Sequence, residues 1–244
     1  MEIILTVIAI AFLLLAVLIV IKFIKHLLTA ALLILALAAL CIFAMGTLVY
    51  LDVKDLQEKG AQGSVLLLLA DDDQIKTGFI TGNPLLPLSE QQLAQLQQQY
   101  ALDNYEQMRA ANYLLVIIDL QAIKDSPVQN VTIFKTTLRK TDLITVMTAQ
   151  DSILALAQVF EQPRQLMEQF LISQNITAAS LRSQAFAIGT ASLVQNATNV
   201  LREYKQGNIR IYPKTLVFSV IKFIPLAWIE RSMPTIAVNA TKPD

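Results

Sequence analysis

The chain has 244 residues, 55% hydrophobic and 16% charged, with 19 basic and 19 acidic side chains. Setting aside residues 1–50, which hold Glu2, Lys22 and Lys25, leaves 17 basic and 18 acidic residues, a net charge of −1, and such a balance offers no basic face for nucleic acid. The one cysteine, Cys41, excludes an intramolecular disulfide and a cysteine zinc site, and the one histidine, His26, leaves residues 51–244 without His-based catalysis.

Two apolar runs come first. Residues 3–21 carry no charge, and neither do residues 27–51. As helices they reach ~28 Å and ~37 Å, against a hydrocarbon core of ~30 Å. Each is read as one membrane span, over about 3–21 and 27–50. Between them, IKFIKH supplies Lys22, Lys25 and His26. These read as the polar turn of a two-helix transmembrane hairpin, with the lysines reaching the interface. A cleavable signal peptide fits less well, because the first run lacks a basic leader and a small-residue cleavage site. One unbroken helix of about fifty residues would leave about twenty large apolar side chains in water, at ~1.5–3 kcal/mol each.

Lysine counts nearly tie across the two sides of the membrane. Four of the nine asparagines lie in NVT, NIT, NAT and NAT, as acceptor-type sequons at Asn130, Asn175, Asn196 and Asn239. Sequons matter on the exported side. The expectation is a cytoplasmic turn, with both ends and the large domain extracytoplasmic. Asn175 also stands just before an expected helix start, where Asn and Thr are favoured as caps.

Residues 52–64 read as a connector, 65–231 as one α+β domain and 232–244 as a mobile tail. Residues 65–69 form a short apolar run and 74–81 partly alternate, which predicts a β-hairpin turning over 70–73. Pro84 and Pro87 end that region. Ser89 with Gln92 forms a capping-box pattern for a helix to about Ala111, with Leu93, Leu96, Tyr100 and Met108 on one side. Residues 113–120 are the clearest strand, and 131–135 a further one. From Thr136 the pattern turns helical, with segments 137–147, 151–172 (kinked at Pro163) and 177–206. The last carries a stripe of Leu181, Ala185, Ile188, Leu193, Ala197, Val200 and Tyr204, and Gly207 ends it. Residues 208–213 suit an edge strand. The apolar stretch 216–229 is too short for a span. It reads as a buried or groove-filling helix, or else as a helix on the membrane surface with Phe223 and Trp228 at the interface.

Reactive motifs are scarce. HExxH, GxGxxG and the GK[ST] ending of a phosphate loop are absent. Asp71, Asp72 and Asp73 could offer oxygen ligands to calcium, but consecutive Asp residues in a hairpin read first as a turn. Asp119 closes an apolar strand, a place for a cap or for a catalytic carboxylate, with Asp125 its nearest acidic neighbour. No local motif selects a Ser-Lys pair, and the Gln91–Gln99 cluster reads as a solvated helix face. No cofactor is expected. The expected partners are the lipid bilayer and a protein partner or second copy, and not nucleic acid. The leading expectation is a membrane-anchored, non-enzymatic interaction or assembly module. The alternatives are a membrane-bound carboxylate hydrolase or transferase, and an oligomeric channel or transporter subunit.

Overall fold

The computed structural model describes residues 34–227, apart from 36, 42, 57, 60–62, 83, 134 and 135. Lys22, Lys25, His26, the first apolar run, the start of the second, Trp228 and residues 232–244 lie outside the described residues. The chain divides into two compact units, Met1–Asp52 and Val53–Asp244.

Helix α1, Leu37–Leu56, has 20 residues and is long and apolar enough to cross a membrane. Among the described residues it is the one such helix. Several of its apolar side chains are exposed, Leu40 to 67% and Phe43 to 77%.

The second unit runs β1 (Val65–Asp71), β2 (Gln74–Ile80), β3 (Leu86–Pro87), α2 (Glu90–Ala101), α3 (Tyr105–Arg109), β4 (Leu114–Asp119), α4 (Leu120–Asp125), β5 (Asn130–Ile133), β6 (Thr136–Arg139), α5 (Lys140–Thr148), α6 (Ser152–Val159), α7 (Arg164–Ser173), α8 (Ala178–Val194), α9 (Ala197–Gln206), β7 (Ile209–Tyr212) and α10 (Leu216–Phe223). The class is α+β. A mixed five-stranded sheet has the order β3-β2-β1-β4-β7, and only β1 and β4 in it are parallel.

Those two strands explain the layers. VLLLLA and LLVII are apolar without alternation, as strands buried on both faces must be. Leu66, Leu68, Leu115 and Ile117 point into a smaller core with Leu93 and Tyr100 of α2 and Met108 of α3. Leu69 and Ile118 point into a larger core filled from α4 to α9. Helix α8 lies on the larger side, with eight buried residues, among them the small Ser183, Gly189 and Ser192. Its Ser183 hydroxyl donates to the Gly78 carbonyl at 2.8 Å and lies 3.3 Å from the Thr77 hydroxyl. On its other side Gly78 lies tight against β1 and Leu88. A Cβ there would sit 2.6 Å from Leu68 Cδ2 and 2.7 Å from the Leu67 carbonyl oxygen.

The hairpin over 65–80, the capping box at Ser89, strand β4, the edge strand β7 and the Gly207 stop all agree with the sequence reading. Five expectations are corrected. The helix expected to run to Ala111 breaks after Ala101, because Asp103 turns to φ 53° and the Asn104 side chain accepts from Gln107 N–H, restarting the chain as α3. The strand at 131–135 does not join the main sheet. It pairs with Thr136–Arg139, which was expected to be helical, and the Thr-rich, β-branched TTLR suits that hairpin. Pro163 does not kink a helix. It caps a new one, because the residue before a proline avoids the α region, so 151–172 is two helices. Residues 177–206 also divide, since Asn196 turns its side-chain oxygen on the N–H groups of Thr198 and Asn199. Finally, 216–229 is not a buried helix: α10 ends at Phe223 and has no buried residue.

Two buried glycines make opposite predictions. Gly78→Ala should lower unfolding free energy by about 1–3 kcal/mol through overpacking. Gly189→Ala, whose Cβ would meet Ile123 and Met147 at 3.4–3.6 Å, should raise it by up to ~1 kcal/mol through helix propensity. Denaturant melts of the two variants check both signs.

Candidate functional site

The acidic residues singled out from the sequence gather at one end of the sheet. Pairing of β1 with β4 sets Ala70 opposite Asp119, so Asp71 and Asp119 stand at neighbouring C-terminal ends of the two parallel strands. Open sheets with parallel strands place ligands at that end. The side chains are put to local use. Asp72, at φ 53°, and Asp73 form the two-residue turn between β1 and β2. Asp119 caps α4, its Oδ1 accepting from Gln121 N–H at 2.8 Å, and the Gln121 amide donates to Asp125 Oδ1 at 2.8 Å. No group of three or more His, Cys, Asp or Glu able to hold a metal occurs among the described residues.

The Gln-rich helix does more than face solvent. Gln97 accepts from Ile75 N–H at 2.7 Å and donates to the Asp73 carbonyl at 2.8 Å, so it clamps α2 onto the acidic turn.

Three of the four sequons are described. Asn130 is exposed at the start of β5, opposite Arg139. Asn175 is exposed at φ 55°, two residues before Thr177, which is the residue that caps α8. Asn196 is exposed and caps α9 through Oδ1, whereas a glycan would take Nδ2. Asn239 lies outside the described residues.

Sequence reasoning missed two clusters. Tyr105 stacks on Tyr212 with centroids 4.2 Å apart, and Tyr100 meets Tyr105 edge-on at 6.4 Å. Arg210 lies 5.2 Å over the Tyr100 ring and donates to its hydroxyl. Burial, and then the hydrogen bond to Asp103, hold the Tyr105 phenol well above its ordinary pKa. Elsewhere, Glu203 is 1% exposed; it accepts from Asn208 Nδ2 at 2.8 Å and from Arg202 Nε at 3.4 Å, which ties the end of α9 to the start of β7. The aromatic set joins residues about a hundred positions apart, and its only local trace is the alternation of NIRIYP.

A third feature is apolar. Leu166, Phe170 and Ile172 of α7 are 54%, 43% and 66% exposed. With Thr136, Phe160, Gln162 and Met167, the first two line a groove of about 320 Å³ that no charged side chain borders among the described residues. Contiguous exposed apolar surface of this kind marks interaction sites in soluble domains.

In comparisons with known proteins, the chain matches no family model, no curated protein and no solved structure.

Substitution at Asp119 separates its two roles. Asp119→Ala should cost about 1 kcal/mol through loss of the cap, while Asp119→Asn, an equally good cap, should melt like the wild type. Thermal melts of the pair decide it; equal melting of all three would remove the capping role.

Proposed function

We propose that the chain is a membrane-anchored, non-enzymatic assembly module whose copies associate through the α7 face. The exposed Leu166, Phe170 and Ile172 beside an uncharged groove carry the reading. One patch holds both projecting side chains and a recess, which suits a two-fold contact between like surfaces. Tethering in a bilayer raises the effective concentration of such surfaces. The anchor in this reading is a two-helix hairpin over about 3–21 and 27–50, turning at Lys22, Lys25 and His26 on the cytoplasmic side. The domain is exported, with Asn130, Asn175, Asn196 and Asn239 as candidate glycan acceptors. The apolar character and 20-residue length of α1 support the anchor.

A second reading is a carboxylate hydrolase or transferase. The adjacency of Asp71 and Asp119 at the ends of the parallel strands favours it. An Asp119→Asn chain that folds normally would retain any such activity only if Asp119 were a cap alone.

Light scattering of the detergent-solubilised full chain should give a mass above one 27.0 kDa copy. Leu166→Ser with Phe170→Ser should weaken association roughly 1000-fold, since central apolar anchors carry ~2 kcal/mol or more each. A strictly monomeric wild type would refute the assembly reading. Topology has its own test. A cysteine replacing Asn239 in a Cys41→Ser background should react with a membrane-impermeant label on intact cells; labelling that appears only after lysis would put the domain in the cytoplasm.

A further inference from the structure

We infer that the cleft beside β7, the terminal strand of the sheet, binds the phosphate of an anionic lipid headgroup. The cleft holds about 240 Å³ and is lined by Tyr204, Arg210, Tyr212, Lys214, Ser219 and Lys222, with no acidic residue among the described residues of its wall. Arg210, Lys214 and Lys222 all line it, Arg210 turning its guanidinium to Tyr100 and Lys222 its ammonium to Tyr204. None of them joins an ion pair among the described residues. Their partners are neutral rings and a phenol. Lys214 lies 5.5 Å over Tyr212, Lys222 lies 5.2 Å over Tyr204, and Arg210 engages Tyr100. The nearby Glu203 is buried against Arg202 and Asn208. An oxyanion entering the cleft meets lysine ammonium donors and no competing carboxylate among the described residues. Lysine binds phosphate as a compact point charge.

The rim indicates the source of that phosphate. Phe218 and Ile221 of α10 pack on the larger core, while Phe223 is 87% and Leu216 48% exposed on the same helix. Outward apolar residues alternating with Lys214 and Lys222 form the pattern of a helix lying at a membrane interface. Cations on a terminal strand also discourage unwanted strand pairing, but that role leaves the exposed Phe223 unexplained. The choice of a lipid over a soluble phosphate rests on the membrane-anchored reading above; the oxyanion chemistry does not.

The test is amide exchange over 209–223 in the full chain, reconstituted in nanodiscs of phosphatidylcholine with or without phosphatidylserine. The amides of β7 and α10 should exchange more slowly when phosphatidylserine is present. Lys214→Glu with Lys222→Glu, both exposed positions, should melt normally and lose that protection, by about 25-fold for two cations at an anionic surface. Equal exchange in both lipids overturns the inference. Protection by inorganic phosphate in phosphatidylcholine discs, with none added by phosphatidylserine, overturns the lipid assignment and leaves a soluble-anion site. Co-elution with the discs reports the anchor separately. A chain that inserts without lipid-dependent protection defeats this inference alone. A chain that stays out of the discs defeats the anchor, and the same comparison with added vesicles still decides the cleft.

Discussion

Burial of β1 and β4 on both faces is the constraint from which the rest of the domain follows. Each strand carries large apolar side chains above and below the sheet, so each face must be covered. Burying one such side chain is worth ~1.5–3 kcal/mol. Exposing three on either face would cost an amount comparable with the whole stability of a domain, about 5–15 kcal/mol. Helices α2 and α3 cover one face from the connection between β3 and β4. Everything from α4 to α9 covers the other. Helix α8 lies against β2, where Ser183 donates a hydrogen bond to the Gly78 carbonyl.

Polar residues at the starts of the helices serve the backbone. Ser89, Asn104, Asp119, Asp151, Thr177 and Asn196 each accept a hydrogen bond from the first turn of a helix. These short helices leave many unpaired N–H groups, and caps satisfy them. The same demand accounts for Asp119 at the end of an apolar strand. Its carboxylate is the transition from β4 to α4.

Two surfaces stand apart from this internal economy of hydrogen bonds. The α7 groove is apolar and borders no charge among the described residues, which suits protein contact. The cleft at β7 is cationic and aromatic with an apolar rim, which suits a charged lipid surface. Their chemistries differ enough that one surface cannot substitute for the other.

Local signals were legible wherever the physics is local. Strand alternation, the capping box of Ser89 and Gln92, the turn at Asp72 and Asp73 and the stop at Gly207 depend on residues a few positions apart. The 20-residue apolar helix was legible for the same reason, since hydropathy and length need no partner. The helix breaks at Asn104, Pro163 and Asn196 were less so, because a polar residue inside an apolar stripe reads equally well as a solvated position or as a cap. Tertiary structure alone decided which strand pairs with which, that Thr136–Arg139 is a strand, and that Tyr100, Tyr105, Tyr212 and Arg210 meet. The last joins positions 110 residues apart in the Arg210 to Tyr100 hydrogen bond. Contacts of that kind arise only after both faces of β1 and β4 have been covered, and no local pattern encodes them.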